Sequence, residues 1–130
     1  MEPASKMSRL WRAATWIFLV AIVFLSLVSP ALRPVTILPH NLEHAGIFAL
    51  AGLAVGLGYP NHILRNMVAL TVFAGAVELA QLYAPGRHAR WIDFAVDASA
   101  ACAGVALAAL AARLLPRRAA STGGGPQTPK

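Results

Sequence analysis

Four apolar runs, each about as long as a bilayer is thick, leave this chain few ways to fold. They extend from Ala13 to Leu32, from about His40 to Tyr59, from Ile63 to Ala84 and from Trp91 to Leu115. A helix rises about 1.5 Å per residue, so about 20 residues cross the hydrocarbon layer. The chain is 58% hydrophobic and 12% charged, with a mean hydropathy of +0.62. A water-soluble domain of 130 residues cannot hide that much apolar side chain. The reading is all-α: a polytopic membrane protein, a four-transmembrane-helix bundle in the inner (plasma) membrane. Residues 1–12 form a basic N-terminus, 13–115 the membrane domain and 116–130 a disordered tail rich in Gly, Pro, Ser and Thr.

The net charge of +6 would suggest nucleic acid in a soluble protein. Here the basic residues gather at the ends of apolar runs, without a stripe or interleaved aromatics, so nucleic acid is not an expected partner. Four spans put Lys6, Arg9, Arg12, Arg65, Arg113, Arg117, Arg118 and Lys130 on one side, and Arg33, Arg87 and Arg90 on the other. The positive-inside rule then places both termini in the cytoplasm. The first run also admits reading as a cleaved signal peptide, against which stand Pro30 and the length of the run. The lone Cys102 excludes an internal disulfide and any cysteine-based zinc pattern.

Acid is scarce and oddly placed. Of five acidic residues, Glu78, Asp93 and Asp97 fall between Val77 and Asp97, and Glu43 stands beside His44 where the second run opens. The four-span topology brings His44, Glu78 and Asp97 to a common depth, on the order of 10 Å inside the outer helix ends. Glu78 and Gln81 are three apart, and Asp93 and Asp97 are four apart, so each pair shares a helix face. His40 and His44 share another, with Glu43 rotated about 100° away. Two small-residue faces allow close packing: Gly52 to Gly56 in the second run, and Ala100, Gly104, Ala108 and Ala112 in the fourth. Arg87 and Arg90, in the loop after Pro85-Gly86, are available as counter-charges. Ionisable groups inside a membrane are costly unless paired and read by default as functional. The bland counterpart is a hydrogen-bonded and ion-paired knot that braces the bundle. For Asp93 alone, the dipole of a helix N-terminus is reason enough.

E-L-A-Q-L-Y-A-P-G-R (Glu78 to Arg87) followed by Asp93, after a helix that opens with Glu43-His44, resembles the VanZ-like membrane proteins. The resemblance covers roughly residues 40–112. It implies signature positions at His44, Glu78, Gln81, Pro85, Arg87 and Asp93. The chain departs from the family pattern with Asp97 for the usual Asn, Ala100 for a Gly and His40-Asn41 for Asp-Lys. The family is named for a protein associated with reduced susceptibility to the glycopeptide teicoplanin. The resemblance therefore implies a role in the cell envelope and an antibiotic-resistance link, and no particular reaction.

Binding candidates are thus His44, Glu78, Gln81, Arg87, Asp93 and Asp97, facing outward. The leading expectation is an anionic lipid or a lipid-linked cell-wall precursor, its phosphate or carboxylate held by Arg33, Arg87 and Arg90. An outer-leaflet hydrolase or transferase is the alternative, with Glu78, His44 and Asp93 as catalytic candidates. His44, Glu78, Asp93 and Asp97 would be the ligands if it were metal-assisted. The chain has no H-E-x-x-H, G-x-S-x-G or glycine-rich phosphate loop. A small transporter and a purely structural bundle complete the set. No cofactor is specified by the residues.

Overall fold

The computed structural model describes residues 6–28, 30–32, 37, 39–84 and 90–115. They form four helices: α1 (Lys6–Leu27), α2 (His40–Gly58), α3 (Ile63–Gln81) and α4 (Trp91–Leu114), with a short 3-10 turn at Pro30–Leu32. All four are long and apolar enough to cross a bilayer, the pattern of a multi-pass membrane protein. The outer faces agree with it. Trp16, Ile17, Val20, Phe24, Val72 and Leu107 are all exposed, an area of bare hydrocarbon that a monomer in water does not present.

α1 begins seven residues ahead of its apolar run, because the good helix formers from Lys6 to Arg12 continue the helix backwards. α3 stops at Gln81, three residues short of the apolar run. Its last carbonyls are taken up by tight turns instead, Leu82, Tyr83 and Ala84 donating to Leu79, Ala80 and Gln81 at 3.1–3.2 Å. Pro85, Gly86 and Arg87, expected to make the turn that follows, lie outside the described residues, as do Arg33, Pro34 and the 116–130 tail.

α2 and α4 form the most extensive contact in the molecule, followed by α1 with α2 and α3 with α4. α2 and α4 run parallel and meet backbone to backbone. A Cβ on Gly52 would collide with the carbonyl of Ala101, and one on Gly104 with the carbonyl of Ala49. A Cβ on Gly56 would stand 2.5 Å from that of Ala108. In lipid, helix association depends on such close approach, since burying hydrocarbon against hydrocarbon gains little. The expected face on α4 is present with one drift. Asp97, Ala101, Gly104, Val105 and Ala108 are buried, whereas Ala112 is exposed. A strict four-residue step gains about 40° per step on a 3.6-residue helix, so Ala112 has rotated about 120° from Ala100.

At the opposite end from the acids, α1 is pinned to α2. Arg12 Nε donates to the carbonyl of Gly58 at 3.0 Å, and its guanidinium lies 4.8 Å over the Tyr59 ring. Asn66 Nδ2 donates to the carbonyl of Tyr59 at 2.9 Å and so ties off the α2–α3 turn. The core between these ends is small: Ile22, Phe48, Ala51, Val55, Leu70, Ala74, Val77, Ala101 and Val105.

Candidate ligand-binding site

Three helices send polar side chains into one pocket. Asn41 and His44 come from the first turns of α2, Glu78 and Gln81 from the last turn of α3, and Asp93 and Asp97 from the first two turns of α4, with Val96 completing the wall. Five of the six sequence-derived binding residues are therefore together; Arg87 lies outside the described residues. The space is about 270 Å³ with its open mouth included, and its interior admits on the order of one water-sized sphere.

Depth differs from the sequence expectation. At about 1.5 Å per residue, Asp97 sits about 9 Å inside the start of α4, His44 about 6 Å inside α2 and Glu78 about 5 Å inside the end of α3. Glu78 is shallower because α3 ends at Gln81 rather than Ala84, and His44 stands only four residues from the start of α2 at His40.

Burial and pairing distinguish the acids. Asp97 is 5% exposed and its Oδ2 lies 3.4 Å from Nδ1 of His44. A carboxylate only accepts, so this contact needs a proton on Nδ1 of the imidazole. The ring of His44 also rests 6.5 Å from that of Phe48, whose side chain is fully buried. Glu78 is 9% exposed, and its Oε1 accepts the backbone N–H of Arg90. That N–H belongs to the N-cap of α4, where the helix offers no acceptor of its own and a negative charge is favoured by the dipole. A side chain at the end of α3 thus caps the start of α4. The contact that Arg90 makes with this acid is through its backbone N–H; Arg87, the other expected counter-charge, lies outside the described residues.

Among the described residues, two acid oxygens are buried without a hydrogen-bond partner, Asp93 Oδ1 and Glu43 Oε1. Glu43 does not line the pocket, as its rotation from His44 implied. Gln81 is 6% exposed and does. The side chain of His40 lies outside the described residues. Among the described residues, no three of His, Cys, Asp and Glu are grouped so as to hold a metal ion. The quartet His44, Glu78, Asp93 and Asp97 shares a pocket without forming a ligand shell.

Sequence reasoning overlooked Asn41. It stands three residues before His44, the same spacing that links Glu78 with Gln81. It also had no means of finding the Arg90 N–H, a backbone group that every residue but proline carries. Next to the pocket, an apolar groove of about 690 Å³ runs between α3 and α4, walled by Gly75, Leu79, Leu82, Trp91 and Phe94. Glu78 lines both spaces, and Arg90 lines the groove. No family model, curated protein or solved structure matches the chain.

Proposed function

We propose that this chain is an integral membrane protein of the VanZ-like type in the bacterial plasma membrane, with both termini cytoplasmic. Its outward-facing pocket binds the head group of an envelope lipid or lipid-linked cell-wall precursor. One observation carries the reading: Glu78 stands in the wall of the polar pocket and in the wall of the apolar α3–α4 groove. An acyl chain in the groove leaves its head group beside Glu78 and Arg90. The acceptor-rich pocket, with Asp93 Oδ1 still unpartnered, suits a hydroxyl or amine of that head. Arg90, and Arg87 in the preceding loop, supply charge for a phosphate. The pocket is too small to engulf a head group, so it reads a single donor at its tip. The basic residues at the opposite helix ends support the orientation, and the resemblance to VanZ-like proteins supports a link to teicoplanin susceptibility.

Lipid carried through purification of the full chain in mild detergent tests the assignment. Wild type is expected to retain an envelope lipid that Glu78→Gln and Asp93→Asn lose while remaining folded. Undiminished lipid in both variants contradicts it.

A second reading, an outer-leaflet hydrolase, has a specific observation of its own. Asp97 orients His44 at 3.4 Å beside a water-sized space, which is the base and orienter half of a hydrolytic site. Turnover of a labelled envelope lipid by purified protein, abolished in His44→Ala, decides for it; a wild-type protein that binds without turnover decides against.

A further inference from the structure

A second apolar feature, the seam between α1 and α3, borders the other end of the bundle and does not depend on the polar pocket. α1 and α3 make little contact, and the seam between them is open. Near the start of α3 it forms an open hollow, about 630 Å³ with its open mouth included, walled by Trp16, Leu19, Leu70 and Phe73, with Tyr59 and Arg65 also lining it. Trp16, Leu19 and Phe73 also wall a second open depression, about 1000 Å³ with its open side included, that continues to Phe24 and Leu27. The seam is therefore continuous: the part beside Arg65 reaches Phe73, about 12 Å along α3 and within the same half of a bilayer, and the part from Trp16 to Leu27 runs on toward the acid end. Its lining is almost wholly apolar until the first turn of α3, where Arg65 is exposed.

Charge decides the occupant. Lys6, Arg9 and Arg12 stand in the first two turns of α1, at the same end of the bundle as Arg65. All the acids among the described residues, Glu43, Glu78, Asp93 and Asp97, lie at the opposite end. Arg12 is already engaged by Gly58 and Tyr59, which leaves Arg65 as the cation bordering the seam. Basic residues between helices at one leaflet recognise anionic head groups.

We propose that the α1–α3 seam holds one acyl chain of an acidic phospholipid whose phosphate is met by Arg65. The site belongs to the leaflet opposite the one that the polar pocket faces. A neutral zwitterionic lipid enters the same seam without gaining the net attraction of the basic end. A charge-assisted contact of this kind corresponds to a preference of about tenfold.

The test measures binding of phosphatidylglycerol and of phosphatidylcholine with identical chains to the full protein in mild detergent, by native mass spectrometry. Phosphatidylglycerol is expected to bind about tenfold more tightly, and Arg65→Gln to reduce it to the phosphatidylcholine level. Ala69→Trp, which fills the seam from α3, is expected to weaken both lipids. Equal binding of the two lipids by wild type would mean an ordinary lipid shell and would overturn the proposal. So would an undiminished preference in Arg65→Gln, or glycerophosphate alone competing as well as the whole lipid.

Discussion

Glu78 has two duties that substitutions can separate. As the acceptor for the Arg90 N–H it caps α4, and as a pocket wall it meets the proposed head group. Glu78→Gln keeps a side-chain oxygen able to accept that N–H; Glu78→Ala leaves it unpaired at a cost of about 1 kcal/mol. The expected outcome in detergent is a near-native unfolding midpoint for Glu78→Gln and a lower one for Glu78→Ala, with lipid retention lost in both. If stability and lipid retention fall together in both, the cluster is a brace. Asp97 behaves differently because it is buried against His44. Asp97→Asn keeps an acceptor for Nδ1–H, whereas Asp97→Leu removes that acceptor, for a further loss of about 1–3 kcal/mol. Thermal unfolding of the two variants side by side measures that difference, and equal midpoints would remove Asp97 as the partner of His44. Spacing of three and four residues makes His44, Glu78, Gln81, Asp93 and Asp97 legible in the sequence. It did not reveal the capping of α4, because a backbone donor leaves no mark in the sequence.

The α2–α4 pair rests on glycines whose missing side chains let two parallel helices touch. Gly52 and Gly104 face opposing carbonyls, so Gly52→Ala or Gly104→Ala must push the helices apart, for an expected loss of about 1–3 kcal/mol. Gly46, also in α2, has nothing within 4 Å of an added Cβ. Gly46→Ala is therefore the control, expected to be neutral or to stabilise by up to about 1 kcal/mol through helix propensity. Unfolding in increasing dodecyl sulfate ranks the three variants; a Gly46→Ala loss equal to that of Gly52→Ala would contradict close contact as the cause. The small-residue pattern was readable, but its extent was not. A spacing of four looks like one face in a sequence and becomes a slow spiral on a real helix, which is why Ala112 is exposed while Ala108 is buried. Likewise α3 ends at Gln81 rather than Ala84, since hydrophobicity marks what avoids water and does not mark where the backbone leaves the helix.

Taken together, the four helices form a molecule with two chemically different ends. Acids and His44 gather at one end, and Lys6, Arg9, Arg12 and Arg65 at the other. Composition and run length were enough to foresee four membrane-length helices. The order of packing was not foreseeable, because α2 meets α4 more than its chain neighbour α3, with the opposed glycines letting the two helices approach closely. The proposed function requires the acidic end to face outward. Its direct test uses a Cys102→Ser background carrying either Asn41→Cys, at the exposed mouth of the pocket, or Lys6→Cys, in the first turn of α1. Intact cells are treated with a membrane-impermeant maleimide. Labelling of Asn41→Cys in intact cells, with Lys6→Cys labelled only after permeabilisation, is the predicted result. Labelling of Lys6→Cys from outside, with Asn41→Cys protected until the membrane is opened, would contradict it.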